Sequence, residues 1–262
     1  MSSRFSLSRA FVVAAIFAAL SIAGAVACTD VSGSSSSILS IQFDTLPSPS
    51  VVVGDTLRDT TGAVVHPVVH AFNFKGAEII PAPVYFLSPD SGITVDSATG
   101  IVIGDSLRST AARIVATVGR LQAVQHVNLT LRPDLVVAVS GRDTLQYVLV
   151  DTTQDISSPL TVRLTHGVSP NDSVVTSYIV SFAIVSQSDP RLGELINDTG
   201  KPSLVDTTDA SGIAGRKIRL HPVYLSSATV VDSIVVNATA KYRGSQVAGS
   251  PVRLVLVLEP HS

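Results

Sequence analysis

Apolar and polar residues alternate along most of the chain after Ile38, with the period of two that is typical of β-strands with one buried face. The same alternation marks residues 126–132, 178–184 and 217–221. No stretch of a dozen residues after position 30 keeps the 3.6-residue period of an amphipathic helix. The pattern therefore predicts an all-β protein. Its longest example is residues 234–242, where the apolar positions are Ile234, Val236, Ala238, Ala240 and Tyr242.

Clusters of turn-forming residues separate the predicted strands at intervals of roughly 8–12 residues, as in all-β sandwiches. Residues 88–92 (Ser-Pro-Asp-Ser-Gly), 198–200 (Asp-Thr-Gly) and 209–212 (Asp-Ala-Ser-Gly) have the composition of turns. One-sided strands at this spacing favour antiparallel β-sandwiches.

The sandwich-forming part divides near Pro133, which ends one strand run before Leu135 begins the next. A loose internal echo supports two units, because the segment Val51–Leu57 recurs approximately at Val137–Leu145. The sequence therefore predicts two domains, residues 38–133 and residues 134–262.

The first 27 residues have the features of a secretory signal peptide. Arg4 and Arg9 precede an uncharged, Ala-rich run at residues 11–27, which ends in small residues just before Cys28. Two alternatives to lipoprotein processing remain open: ordinary cleavage after Ala27, and an uncleaved anchor, for which a run of 17 residues is at the lower limit.

The residues at the end of this run, Ala25-Val26-Ala27-Cys28, resemble the lipobox of bacterial lipoproteins, with Ala25 where Leu is preferred. The resemblance implies cleavage after residue 27 and acylation of Cys28. Thr29 rather than Asp follows, which in that family implies sorting to an outer membrane. Residues 28–37 then form a tether or a frayed terminus, since the Ser/Gly-rich segment 32–37 has no apolar residue to pack.

The composition of the 262 residues narrows the possible functions. With 45% hydrophobic and 15% charged residues, the chain is too apolar to be disordered. Its net charge of −2 provides no basic surplus for nucleic acid. Removal of residues 1–27 takes away only Arg4 and Arg9, which leaves 16 basic and 20 acidic residues and a net charge of −4. One Cys allows no intramolecular disulfide and no Cys-based metal site.

Residues 38–132 resemble the group 2 bacterial immunoglobulin-like domain of envelope proteins and adhesins. The matching segments follow one another in the order typical of that family, although Tyr85 lies where the family usually has Trp. They are Val53–Leu57, Val84–Ser88, Ile93–Asp96, Thr99–Gly104 and Ala111–Val118.

Residues 134–260 resemble, more loosely, the group 1 bacterial immunoglobulin-like repeats of intimins and invasins. The similarity lies in Asp209–Ala214 and in the final strand run Val252–Leu258. The two resemblances imply immunoglobulin-like sandwiches. Neither implies a catalytic residue, and a fold by itself does not establish a function.

One short motif suggests an enzyme. Residues 103–107 (Ile-Gly-Asp-Ser-Leu) resemble the nucleophile block of GDSL esterases, with Ser106 as the nucleophile. That family places an Asp three residues before its catalytic His, and none of the candidate His residues has one. The fold would also need helices between parallel strands. We therefore expect Ser106 to lie in a turn.

Other polar and aromatic residues also have alternative interpretations. His66 and His70 are expected on one face of a strand, where about 13 Å would separate them, too far to share one zinc ion. Asp90, Asp96 and Asp105 could provide oxygen ligands for calcium, but their spacing fits no known loop and turn positions are expected. Four glycosylation sequons are expected to be coincidental, at Asn128, Asn171, Asn197 and Asn237. A set of tyrosines could stack on a sugar but is expected mostly in the core: Tyr85, Tyr147, Tyr178, Tyr224 and Tyr242.

Together these observations predict an exported lipoprotein of the cell envelope, anchored through Cys28, whose immunoglobulin-like domains act as surface spacer, scaffold or adhesin. The alternative is a module that binds polysaccharide or another ligand through the loops of a sandwich. We expect no catalytic residue, cofactor, metal site or nucleic-acid partner. The expected partners are the membrane, through the lipid, and a protein or polysaccharide at the cell surface.

Overall fold

The computed structural model describes residues 37–147, 155–225 and 231–260. These residues form strands joined by loops, with a 3₁₀ turn at Pro222–Tyr224. The signal segment, Cys28 and residues 28–36 lie outside the described residues. The strands are β1 (Ser40–Phe43), β2 (Ser50–Val52), β3 (Val69–Phe72), β4 (Tyr85–Leu87), β5 (Ile93–Val95), β6 (Val102–Gly104), β7 (Ala112–Val118), β8 (Leu121–Thr130), β9 (Leu135–Ser140), β10 (Arg142–Tyr147), β11 (Leu160–His166), β12 (Ser173–Val174), β13 (Ile179–Ser186), β14 (Gly193–Ile196), β15 (Val205–Thr207), β16 (Ile213–Leu220), β17 (Asp232–Thr239), β18 (Lys241–Tyr242), β19 (Ser245–Gln246) and β20 (Val252–Pro260).

A four-stranded sheet in the order β2–β8–β7–β4 organises the first hydrophobic core. β2 runs parallel to β8, and the other neighbours are antiparallel. Because side chains alternate along a strand, Ile114 of β7 and Val127 of β8 point to the same side and are fully buried. They pack with Leu57 and Phe86 in what we call the first core.

Two sheets enclose the second core. One has the order β10–β20–β17–β13–β15, and the other has the order β12–β11–β16–β14, with β9 also paired to β11. The alternating residues Ile234, Val236 and Ala238 of β17 are fully buried between the sheets, as the sequence predicted. They pack with Phe182 of β13 and Ile218 of β16.

The strand order around the second core is that of an immunoglobulin sandwich. β9, β11, β16 and β14 occupy the positions of strands A, B, E and D, and β20, β17 and β13 occupy those of G, F and C. β10 extends the sheet of β20, β17 and β13 by pairing in parallel with β20. The predicted fold class, all-β with immunoglobulin-like antiparallel sandwiches, is confirmed.

Several hairpins of the described chain share one turn pattern, in which Asp or Asn comes first and Gly fourth. In residues 59–63 the Oδ1 atom of Asp59 accepts the N–H groups of Thr61 and Ala63, at 2.9 and 3.0 Å. Gly62 then adopts a φ of 92°, which a side chain disfavours. Equivalent turns begin at Asn73, Asn197 and Asp209. The last two coincide with turns predicted from the sequence.

The described residues divide into a small unit, residues 37–40 and 71–80, and a larger unit with the rest. In the small unit, the Leu39 N–H donates to the Phe72 carbonyl at 2.8 Å, and Phe72 bridges to Glu78 across the turn at Asn73. Both hydrophobic cores belong to the larger unit. The domain boundary near Pro133 stays a prediction. Within the described ranges, no helix is long and apolar enough to cross a membrane.

Candidate functional site

Ser106 lies in an exposed bend after β6, in agreement with the predicted turn. Its N–H donates to the Gly92 carbonyl at 3.2 Å. In the part of the chain that the structure describes, its hydroxyl has no hydrogen bond to a histidine. Cys28, the predicted lipidation site, lies outside the described residues.

His66 and His70 do not share a strand, so this expectation is wrong. β3 begins at Val69, and Pro67, which has no N–H for a sheet ladder, keeps His66 outside it. His66 Nδ1 lies 2.9 Å from the Thr99 carbonyl oxygen, and His70 Nε2 lies 3.2 Å from Asp44 Oδ2.

The three aspartates that could have formed a calcium loop have separate partners. Arg113 binds Asp90 through Nε and Nη2, at 3.0 and 2.9 Å. Asp96 caps its own turn by accepting the Thr99 N–H at 2.7 Å. Asp105 accepts the Thr94 hydroxyl at 2.8 Å. Among the described residues, no group of three His, Cys, Asp or Glu residues is arranged to hold a metal ion.

The tyrosines are divided between core and surface. Tyr147 is buried, and Tyr178, Tyr224 and Tyr242 pack partly against the second core. Tyr85 is 62% exposed, and its neighbour Phe86 fills the first core instead. Of the sequon asparagines, Asn197 begins one of the shared turns, where its Oδ1 accepts backbone N–H groups. Asn128 and Asn237 lie on β8 and β17, and Asn171 lies in a turn.

A buried carboxylate, that of Asp55, forms a polar cluster with two arginine partners. The Asp55 side chain is only 2% exposed. Arg58 donates to it from Nε (3.0 Å to Oδ2) and from Nη2 (3.0 Å to Oδ1). Arg243, 188 residues away, does the same at 2.9 and 3.0 Å. The Thr56 N–H adds a bond of 2.8 Å. Charge-assisted, bidentate bonds of this kind are the strongest that side chains make.

The cluster changes the acidities of its members. Burial raises the pKa of Asp55, but the hydrogen bonds from Arg243 and Arg58 outweigh burial and hold the pKa well below its ordinary value. Burial raises the pKa of Tyr178, and burial together with the Asp55 carboxylate raises that of Tyr242. Both phenols therefore stay neutral at physiological pH, and Asp55 stays ionised.

A cleft of about 470 Å³ opens beside this cluster. Hydroxyl groups line much of it, and several are already bonded within the protein. The Ser50 hydroxyl donates to the Ser177 carbonyl at 2.6 Å, and the Tyr178 hydroxyl donates to the Lys241 carbonyl at 2.5 Å. The hydroxyl-bearing residues of the cleft are Ser48, Ser50, Thr56, Thr60, Thr61, Tyr178, Ser181, Thr239 and Tyr242.

A second, wider groove of about 1120 Å³ lies beside β13 and β14. At its side the Arg191 guanidinium lies 4.2 Å from the centre of the Tyr224 ring, a cation–π contact. Leu204 and Val185, which also line the groove, are 63% and 53% exposed.

Sequence reasoning did not identify the Asp55 cluster. Asp55 was seen only as part of the segment Val53–Leu57, and nothing along the chain connects it with Arg243. One local signal was available, because Arg243-Gly244 has the form of a two-residue hairpin turn between Tyr242 and Ser245.

Comparisons with known proteins leave the family open. No family model matches the chain, and no curated protein matches it. Among solved structures, the chain is similar to surface layer protein SbsC, domains 1–6, with 9% identity and a TM-score of 0.31 over 87% of this chain. It spans only 29% of that protein's chain.

Two further solved structures give similar values. For SbsC domains 5–6 the identity is 12% and the TM-score 0.29, over 86% of this chain and 99% of the other. For human protocadherin-24 EC1-2 they are 13% and 0.25, over 85% and 100%. TM-scores of this size do not establish a shared fold, so the immunoglobulin-like assignment depends on the strand order.

Proposed function

We propose that the protein is exported, anchored to the cell envelope through a lipid on Cys28, and serves there as a surface spacer, scaffold or adhesin. The export signal and the lipobox resemblance support the anchor. The similarities to group 2 and group 1 bacterial immunoglobulin-like domains support a place at the surface.

The Asp55 cluster is the observation that favours a scaffold. The Asp55 side chain is only 2% exposed, and it binds guanidinium groups from two distant parts of the chain. Arg58 belongs to the segment that contributes Leu57 to the first core, and Arg243 follows strands of the second core. The charges are therefore used to join parts of the fold, which is what a spacer requires.

Metabolic labelling tests the lipid anchor. Cells that express the full chain are grown with an alkyne-labelled fatty acid, and the purified protein is examined for the label. We expect labelled wild-type protein and an unlabelled Cys28→Ser variant. Label that persists in Cys28→Ser would contradict lipidation at this residue.

Protease treatment of intact cells tests the location. We expect added protease to degrade the wild-type protein while a cytoplasmic marker stays intact. Protein that is protected until the cells are lysed would contradict surface exposure. This result is independent of the labelling result, so anchor and location are tested separately.

We further propose that Ser106 is not a nucleophile and that the protein is not an enzyme. A serine-directed fluorophosphonate probe should leave the folded protein unlabelled. Stoichiometric labelling that is lost in Ser106→Ala would contradict this proposal.

The alternative function, binding of a polysaccharide, is favoured by the cleft beside Asp55. Its volume of about 470 Å³ and its hydroxyl lining suit a small sugar. Titration of the ¹⁵N-labelled protein with a panel of neutral and acidic oligosaccharides tests it. Saturable changes in the NMR chemical shifts of the backbone amides, confined to Tyr178, Thr239 and Lys241, would support this function. The absence of such changes across the panel would oppose it.

A further inference from the structure

Two arginines from distant parts of the chain bind the same buried carboxylate, that of Asp55. Arg58 lies three residues from Asp55, so their bond is local, whereas Arg243 belongs to the hairpin of β18 and β19. A carboxylate buried to this degree is costly to leave with half of its partners. The bond to Arg243 therefore connects a segment next to the first core with a hairpin that extends from the second core.

The backbone is strained at the same place. Arg243 adopts a φ of 51° and Gly244 one of 81°, which the tight turn between Tyr242 and Ser245 requires. Asn or Gly is favoured at the first of these positions, but here an Arg directs its guanidinium to Asp55. Non-glycine residues in this conformation are uncommon and are often found where function demands them.

A second residue with strained backbone also makes a hydrogen bond between these two parts of the chain. Ser177 has a φ of 57°, and its carbonyl accepts the Ser50 hydroxyl at 2.6 Å. Ser50 lies on β2 beside the first core, and Ser177 precedes β13 of the second. Within the described ranges, Ser177 and Arg243 are the non-glycine residues with positive φ. Each of these two residues makes a hydrogen bond to a residue next to the first core.

The turn at residues 59–63 completes the junction. A Cβ atom on Gly62 would overlap the backbone of Arg243 and Gly244, so the two turns are in direct contact. Arg58 supports this turn by donating to the Gly62 carbonyl at 2.8 Å.

We propose that these contacts form a latch: Asp55 with Arg243, and Ser50 with Ser177, hold the two cores together as one rigid body. The latch goes beyond the proposed function, because it concerns how the cores move whether or not the protein is lipidated. The strain at Arg243 and Ser177 is maintained because each residue gains a bond across the junction.

Distance measurements by pulsed electron paramagnetic resonance test the latch. In the full chain, Cys28→Ser removes the native thiol, and Gln122→Cys and Thr144→Cys provide one thiol each for a spin label. Gln122 is exposed on β8, and Thr144 is exposed on β10. We expect one narrow distance for the otherwise wild-type protein. Arg243→Asn should lose it and show a broad or second population, because Asn suits the turn but cannot bind Asp55 in the same way.

The matched control removes an equivalent ion pair inside the first part of the chain. Arg113→Gln breaks the bidentate bond to Asp90 and should keep the narrow distance. An unchanged distance in Arg243→Asn would overturn the latch, and so would equal broadening in both variants. If Arg243→Asn fails to fold by circular dichroism, Ser50→Ala decides: broadening supports the latch and an unchanged distance overturns it.

Discussion

Asp55 illustrates how an ionised side chain can be buried in a β-sandwich protein. Removal of a carboxylate from water costs several kcal/mol unless charged donors replace the water. Two guanidinium groups and the Thr56 N–H do so here. The Arg243 side chain remains 52% exposed, so the cost of burial falls mainly on Asp55.

Asp55→Asn should therefore destabilise the protein strongly. The substitution keeps the shape but leaves Arg58 and Arg243 facing a neutral amide, and we expect a loss of about 3 kcal/mol in the free energy of unfolding. Urea unfolding followed by circular dichroism measures it.

The control for this substitution is Asp198→Asn. Asp198 is 89% exposed and pairs with Lys217 at 3.1 Å, so its loss should cost less than about 1 kcal/mol. Equal effects of the two substitutions would show that the burial of Asp55 has no energetic consequence.

The decrease in the free energy of unfolding at acidic pH should also depend on Asp55. Burial raises its pKa, but the bonds from Arg243 and Arg58 lower it by more, so the folded-state pKa lies below the ordinary aspartate value of about 3.9. The stabilising contribution is present above that value. It is lost as the pH falls below it, because only the unfolded chain then binds the proton.

We expect the stability difference between wild type and Asp55→Asn to shrink between about pH 5 and pH 3. Urea unfolding across this range measures the difference, and other aspartates, such as Asp90, affect both proteins alike. A difference that stays constant or grows on acidification would contradict the assignment.

At the scale of single residues, the sequence showed which side chains are buried better than which are paired. Period-two alternation correctly places Val236 and Ile218 in the core, because burial depends on a local pattern. The partner of Asp55 is 188 residues away, and no local pattern encodes that distance.

At the scale of elements, β16 shows both the reach of the alternation and its exception. Ile218 and Leu220 face the core, as expected, and so does Ala214, but Arg216 has the same phase and is 8% exposed. Its Nη1 atom lies 3.0 Å from Asp206 Oδ1, and its Nη2 group donates to the Val205 carbonyl of edge strand β15. An inward-pointing charge protects a sheet edge, a role visible only once β15 and β16 are placed together.

The shared turns allow a test of the contact at Gly62. Gly62→Ala and Gly76→Ala both place a side chain at positive φ, 92° and 74°, in turns with the same hydrogen bonds. Nothing lies within 4 Å of a Cβ at Gly76, whereas at Gly62 it would meet Arg243 and Gly244. We expect a cost of about 1–2 kcal/mol for Gly76→Ala, from the backbone alone, and a clearly larger cost for Gly62→Ala.

Urea unfolding of both variants measures these costs. The difference between them isolates the contact of the two turns from the strain that they share. Equal losses would mean that the turn at 59–63 shifts away from the hairpin at little cost.

At the scale of the whole molecule, composition and strand spacing predicted the fold class, since an all-β chain must bury one-sided strands in stacked sheets. They did not predict the parallel pairing of β10 with β20, or the way that β14 and β15 join different sheets. These pairings connect segments far apart in sequence, where turn chemistry gives no guidance.

The Asp-rich turns lead to a last prediction, on metal dependence. The carboxylates of Asp59, Asp96 and Asp209 each accept N–H groups of their own turn, and Asp90 binds Arg113. A calcium ion would have to compete with these bonds for the same oxygen atoms, so we expect the fold to be independent of calcium. Excess EDTA should shift the Tm of the full chain by no more than about one degree in scanning calorimetry, because only an ion bound to the folded state would raise the Tm. A drop of several degrees that added calcium reverses, and that Asp96→Asn abolishes, would instead place a structural ion in the loops of the first core.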